Sequence, residues 1–394
     1  MLEALVALLV ERRPAALLLA GDIYDRAIPT PPAIGLLDGF LSRAVRAAPD
    51  TAIVMIPGNH DSASRLAFGS GLFAKAGLHV ISKVSDSPEP VMVRSRRGGS
   101  GGGGPGGGEE GCAIWALPFM GGAGEGADVP RGQAAAFARA VGEIRRGIEA
   151  RARSEIDSYN VLLAHCFATG GMPSESERAF VGLAEEVDAG LFDGFDYAAL
   201  GHLHRPQAAG RKGRYSGAPL AYSFGEGLRV RLAPADGGDA ATVRESAAAE
   251  RGFVFVELGP EGVRTELLPH KPARRLVRIE APFEKLCDPN LFGDYREDLV
   301  EVSLKDSTPV LEPSERLKGV FPNLLSVRQA AFEARLAGGE SEAVALDGGG
   351  DPEDPGRIVG DFSAFHREMR GEEADEAMLG LFRSMVEEAS RAAD

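Results

Sequence analysis

The chain has 394 residues, enough for two domains and a sizeable core. A formal net charge of −15 excludes a protein that coats nucleic acid by overall charge, so such a substrate would have to meet a local basic face or metal ions. Three widely spaced cysteines without a CxxC exclude a disulfide framework, and no apolar run reaches the roughly 18 residues of a membrane span; both read as a cytoplasmic protein with free thiols.

Leu2–Glu11 carries Leu5, Leu8 and Leu9 at helical spacing, and Pro14 ends it. It does not read as a secretion signal, because Glu3 precedes the apolar run and Glu11-Arg12-Arg13-Pro14 interrupts it. A strand then climbs from Ala16 to Gly21-Asp22. Ile34–Arg46 is the next helix, with Leu36, Leu37, Phe40, Leu41 and Val45 on one face. The strand Ala52–Ile56 runs into Pro57-Gly58-Asn59-His60-Asp61, and a helix over Arg65–Ala76 leads to a short strand at Leu78–Ile81. This alternation predicts a layered α/β domain. Residues 98–111 are almost all glycine and read as a flexible loop; no GK[ST] follows to make them a phosphate cradle. The sheet resumes at Cys112–Leu117, a helix covers Gln133–Arg151, and Asn160–Ala164 leads to His165. Cys166 beside it reads as a small buried hydrophobe. Gly170–Phe180 is a polar loop, and Tyr197–Leu200 leads to Gly201-His202-Leu203-His204. Hairpin-like strands follow, closing with Phe253–Leu258 and Val263–Leu268 around a Gly-Pro-Glu-Gly turn.

The pattern changes near His270-Lys271-Pro272. Strands at Leu276–Glu280, Leu299–Leu304 and Leu324–Val327, with a helix at Glu312–Val320, make a small α+β domain. The expected organisation is therefore a first domain over 1–270, a second over 271–333, an acidic Gly/Pro-rich linker over 334–358 and a helical tail over 359–394. In the tail, Met378, Leu381, Phe382, Met385, Val386 and Ala389 recur at helical spacing. That helix either docks on its own domain or receives a partner.

Four apolar runs thus end in metal-ligating residue types, and four of the seven histidines stand directly after such runs or in the turn that follows. One histidine beside an apolar run is more often a hydrogen-bonded core residue. Four convergent ends are different, because the carboxyl edge of an α/β sheet is where chemistry gathers.

GDIYDR, GNHD, a strand-end histidine and GHLH stand in the order of the calcineurin-like metallophosphoesterases, which the chain resembles. Tyr215–Glu226, YSGAPLAYSFGE, resembles the SbcD branch of that superfamily, and the likeness covers about residues 1–330. The resemblance implies an α-β-β-α sandwich with a small α+β capping domain, and two divalent metals, Mn2+ by preference. Such a pair, about 4 Å apart, neutralises phosphate charge and makes water nucleophilic. It implies Asp22 as bridging ligand, Asn59, His165 and His202 around one metal and His204 on the other. His60 would sit over the scissile phosphate as transition-state stabiliser or acid. Asp25 either orients that imidazole or caps a helix; Arg205 and Gln207 either touch substrate or serve structure.

The same resemblance implies a DNA nuclease with 3′→5′ exonuclease and hairpin-opening endonuclease activity. It would work as a homodimer within a heterotetramer, beside an SbcC-type coiled-coil ATPase. Arg205, Arg211, Lys212 and Arg214, and further on Lys271, Arg274, Arg275 and Arg278, are candidate phosphate contacts. One departure stands out. The family opens on a strand ending in Asp-x-His, whereas residues 1–20 contain neither Asp nor His. The expectation is an N-terminally truncated chain lacking its first strand and two ligands of one metal, with weak or absent activity. A stand-alone phosphodiesterase or phosphatase, and a non-catalytic scaffold subunit, are the competing readings.

Overall fold

The computed structural model describes residues 1–84, 88–94, 111–121, 132–152, 158–173, 185–232, 242–246, 250–329, 358–360, 362–363, 366–367 and 374–393. The Gly-rich run, most of the Gly170–Phe180 loop and the acidic linker lie outside these residues. The chain divides into two compact units: Met1–Val230 with Val243–Arg278, and Arg231–Thr242 with Ile279–Asp394.

The first unit follows from alternation. Helix α1 (Leu2–Arg12) precedes β1 (Ala16–Ala20), and α2 (Pro31–Ala47) precedes β2 (Ala52–Ile56). Helix α2 starts three residues ahead of the sequence expectation, since proline in a first turn forfeits no helical hydrogen bond. The helix expected over Arg65–Ala76 is instead broken into α3 (Ala63–Leu66), α4 (Ser70–Phe73) and a 3-10 turn at Ala74–Ala76. The break falls at Gly69, whose φ of 74° leaves the helical region. With β3 (Leu78–Val80) the strands form an all-parallel sheet in the order β1-β2-β3.

A second sheet runs β4-β5-β6-β7-β9-β8, from β4 (Val91–Arg94), β5 (Gly111–Leu117), β6 (Ser158–His165), β7 (Tyr197–Gly201), β8 (Gln207–Ala209) and β9 (Gly213–Tyr215). Strands β5, β6, β7 and β9 are parallel, so their carboxyl ends share one edge. Successive side chains point to opposite faces. On β5, Ala113, Trp115 and Leu117 pack towards helix α5 (Gln133–Ala152), while Ile114 packs with Val54, Ile56 and Leu163 between the sheets. On β2, Ile53 turns the other way, to Leu5, Leu9, Phe40 and Ala44 of α1 and α2. The result is the expected α-β-β-α layering. Fully burying one such side chain contributes about 1.5–3 kcal/mol, so the middle layer is the most costly to disturb.

Strands β10 (Leu228–Leu232) and β11 (Thr242–Ser246) belong to another sheet. The next two, β12 (Gly252–Gly259) and β13 (Gly262–Pro269), form the expected antiparallel hairpin. Within the described residues, β1 is the outer strand of its sheet and β12 pairs only with β13. Both border one cavity of about 500 Å³, lined by apolar residues such as Leu9, Leu17, Leu18, Val161, Phe253 and Val256.

A third sheet runs β11-β10-β14-β15-β16, with β14 (Leu276–Ala281), β15 (Leu299–Leu304) and β16 (Leu324–Arg328), and the last two strands belong wholly to the second unit. Short helices α6 (Phe283–Leu286), α7 (Pro289–Phe292) and α8 (Pro313–Leu317) accompany it. Helix α8 is shorter than the expected Glu312–Val320, because Glu312 has φ 48° and is itself outside the helix. The tail helix α9 covers Glu376–Ala393, with Phe382 stacked on Phe362 at 4.0 Å and Met378, Leu381 and Met385 exposed.

Candidate metal centre

Each motif begins where a parallel strand stops, and the backbone there leaves ordinary space. Gly21 has φ 90°, and a Cβ on it would lie 2.3 Å from His165 Nδ1. Asp22 follows at φ 50°, and His202 sits at φ 108°, conformations that L-residues seldom adopt. A Cβ on Gly58 would fall 2.2 Å from Asp22 Oδ1. Backbone strain of this kind, of order 1–3 kcal/mol per residue, persists where the surroundings over-determine it, commonly at functional sites.

The strand ends bring four predicted ligands together. His165 Nε2 is 2.9 Å from Asn59 Oδ1 and 3.3 Å from Asp22 Oδ2, and His202 Nδ1 is 3.0 Å from the same Asn59 oxygen. The ligand atoms of Asp22, His165 and His202 lie within 4.8 Å of one another. His165 Nδ1 donates to the Ala20 carbonyl at 2.7 Å, so in the neutral ring Nε2 aims a lone pair at two oxygens. Acceptors facing acceptors is an arrangement that a cation satisfies. His202 packs edge-on to His165, and its Nε2 is buried without a hydrogen-bond partner.

With His165 protonated, its ring stands in for that cation and sets the electrostatics of its neighbours. Burial and the His165 charge push His202 down to about 4, so near neutral pH it is an uncharged imidazole with a lone pair to offer. For Asp22, burial works to raise the value. The His165 hydrogen bond and charge, together with the His60 amide, outweigh it and hold the carboxyl at about 2. A fixed carboxylate, an amide oxygen and two imidazoles suit Mn, Fe or Zn.

His60 is positioned from two sides. Its backbone N–H donates to Asp22 Oδ1 at 3.0 Å, and its Nδ1 lies 2.9 Å from the Asp25 backbone carbonyl. The Asp25 side chain has other partners besides the His60 charge. Its carboxylate takes the Tyr222 hydroxyl and Arg26, which lower its pKa, and the next helix, α2, is capped at Thr30. Residue 25 thus meets the His60 ring through its main-chain carbonyl, with the carboxylate charge nearby.

Three residues outside the predicted set hold the loops. The Asp61 carboxylate accepts from Ile23 N, Tyr24 N and Gly58 N, each at 2.9 Å, tying the GDIYDR turn to the GNHD turn. Asp61 closes a motif already singled out, so that signal was readable. Glu226 and Arg251 stand behind His204: Glu226 Oε1 is 2.8 Å from His204 Nδ1, and Arg251 reaches Glu226 Oε2 at 2.9 Å. Arg251 has no motif that could have marked it. His204 lies outside the Asp22-His165-His202 group, yet its charge acts on His202.

The predicted basic contacts do not gather at this edge. Ala198 of β7 pairs with Gly213 of β9, in parallel, so Arg211 and Lys212 occupy the amino-terminal edge of the sheet, opposite His165 and His202. Arg211 is ion-paired with Asp193 at 2.7 Å. Arg214 lines the apolar cavity beside β1. Arg205, one residue past His204, is the member of the set adjoining the ligands in sequence, and Gln207 is bonded to Met172 N and O.

Comparison with known proteins supports the family likeness. Residues 1–103 match the model of the calcineurin-like phosphoesterases, and residues 272–352 match that of the type 5 capsule protein repressor C-terminal domain, the SbcD_C family. The chain is 27% identical over 328 residues to the SbcD subunit of nuclease SbcCD from Staphylococcus saprophyticus, covering 82% of this chain and 76% of the relative. It is 26% identical to the protein of that name from Staphylococcus epidermidis, covering 82% of this chain and 77% of the relative. A domain of this type works with divalent metal, which the Asp22, His165 and His202 cluster fits. Among the described residues no helix is long and apolar enough to cross a membrane. The resemblance to the SbcD family of calcineurin-like metallophosphoesterases therefore stands on both domains and most of the chain's length, and it makes the protein a hydrolase acting on phosphodiester bonds.

Proposed function

We propose that this chain is the nuclease subunit of a cytoplasmic SbcCD-type assembly. It trims DNA from 3′ ends and opens hairpin or blocked ends, with two Mn2+ ions and an SbcC-type ATPase, as a homodimer within a heterotetramer. The observation that carries the reading is the convergence of Asp22, Asn59, His165 and His202, with His60 anchored on Asp22 and Asp25 beside them. Asp22, Asn59, His165 and His202 would hold one metal, and Asp22 with His204 would begin the shell of the other. When bound, the metals supply charge neutralisation at the phosphate and a water nucleophilic near neutral pH. The chain's own part is to hold them in a buried edge and to place the His60 imidazole opposite, where it stabilises or protonates the leaving oxygen.

Asp22 and His204 alone are too few ligands for the second metal, and an added strand ending in Asp-x-His would complete its shell. What supports this is the cavity between β1 and β12. It is mostly apolar, about 500 Å³, and bordered by β1, an outer strand of its sheet, and β12, which among the described residues pairs only with β13. A strand laid there parallel to β1 ends at the edge where Asp22 stands. The exposed Met378, Leu381 and Met385 of α9 support a dock for the ATPase. Capping and DNA contact by the second unit rest on its match to the SbcD_C domain.

The test is Mn2+-dependent cleavage of hairpin and 3′-ended DNA by the chain with and without an added Asp-x-His strand. Gain of activity and of a second bound metal is the expected result, and His60→Ala should abolish the activity but not the metal. A chromogenic diester hydrolysed while DNA stays intact moves the reading to a small-substrate phosphodiesterase. Metal bound with neither substrate cleaved moves it to a scaffold.

A further inference from the structure

The stretch from Ser216 to Glu226 folds back over His204. Ala218 N donates to the His204 carbonyl at 3.0 Å, and Glu226 closes a turn through its N–H to Ser223 O at 3.0 Å. This delivers Glu226 to a position only 1% exposed. There its two oxygens are claimed differently. Oε1 faces His204 Nδ1 at 2.8 Å, while Oε2 accepts Tyr222 N at 3.1 Å and Arg251 Nη2 at 2.9 Å. Arg251 also spans the His204 and Ala218 carbonyls, at 2.9 and 3.0 Å, through Nη1. A buried ion pair adds little net stability but fixes a geometry. Here the geometry fixed is that of one imidazole.

The geometry points to Glu226 as a positioning residue for His204. A carboxylate at Nδ1 can only accept, so the proton sits on Nδ1 and the Nε2 lone pair is left as the ligand atom. Arg251 is part of the device: by holding Oε2 it keeps Oε1 for the histidine. This rests on the reading of His204 as a ligand, but it concerns a tautomer and can fail by itself.

The test exploits an isosteric change. In Glu226→Gln the amide oxygen is drawn to the two donors on the Oε2 side, which leaves the NH2 group against Nδ1. The His204 proton then moves to Nε2. Two-bond 1H–15N correlation on the full chain labelled with 15N-histidine, with His204 assigned from His204→Gln, reads this directly. The expected result is Nδ1–H in the wild type and Nε2–H in Glu226→Gln, and, in the chain carrying the added Asp-x-His strand, binding of the second Mn2+ weakened roughly 10–100-fold. An Nε2–H tautomer in the wild type, or an unchanged tautomer or Mn2+ step in Glu226→Gln, overturns the proposal. Should Glu226→Gln leave Arg251 too poorly paired to fold, Glu226→Gln with Arg251→Met removes both charges, and Tyr222 N alone then orients the amide for the same readout. Wild-type tautomer as expected with DNA uncleaved fails the nuclease reading alone.

Discussion

The two halves of the candidate site are built differently. The half around Asn59, His165 and His202 draws on strand ends from both sheets, and its ligand atoms already touch through a single shared oxygen. The half around His204 has Asp22 and one imidazole, held from behind by a loop and a buried ion pair. The first is placed by the sheet register, which the core enforces; the second depends on a local fold of residues 216–226. Precision that comes from strands survives surface change, whereas precision that comes from one carboxylate is lost with it.

The sharpest way to break this contrast is Asp22→Ala. On the proposed reading Asp22 serves both halves, and it receives the His60 amide, so hydrolysis should fall about a thousand-fold or more and no metal should bind tightly. Survival of tight Mn2+ binding, measured calorimetrically, would refute a shared role. Next in size is the pair His165→Ala and His204→Ala. The first should abolish the tighter binding step, the second should leave it within about two-fold, and equal losses would show that the halves are not distinct.

A pH measurement separates them without metal. His202 has its folded-state pKa pushed to about 4 from 6.5, so the unfolded chain takes up the proton first as pH falls. Stability is complete above about 6.5 and is lost as pH falls towards about 4, by at most about 3 kcal/mol. Urea unfolding at the two ends of that window should show the slope, and His202→Asn should flatten it. A slope that persists in His202→Asn assigns the loss elsewhere.

The smallest effect is expected at Tyr222→Phe. The Tyr222 hydroxyl meets an exposed Asp25 carboxylate, while His60 leans on the Asp25 carbonyl, which the variant keeps. Stability should change by no more than about 1 kcal/mol and the His60-dependent rate by only a few-fold. A hundred-fold loss in a phosphodiester assay would instead make the Asp25 side chain part of the chemistry.

Much of the site was legible because apolar runs of four to six residues end in residue types with few other uses. Val161–Ala164 into His165 and Tyr197–Leu200 into His202 are visible as such, and parallel pairing puts both at one edge. The break of the expected Arg65–Ala76 helix at Gly69 was less legible, since a glycine inside a helical pattern is often tolerated. Strand β4 escapes a sequence reading altogether, being four residues long and on a sheet edge. The basic run at Arg211 and Lys212 misleads for a different reason. It is close to GHLH in sequence but not in space, because a short antiparallel return through β8 carries the chain back across the sheet before the run begins.

What the amino-acid order determined by itself is the set of strands, their apolar faces and the ligand types waiting at their ends, because period and composition act locally. Which nitrogen of each imidazole is presented, that residue 25 works through its carbonyl, and that Glu226 and Arg251 stand behind His204 were decided only by the folded chain. Those outcomes depend on hydrogen bonds between residues dozens to more than a hundred positions apart, and no local pattern encodes a partner at that distance.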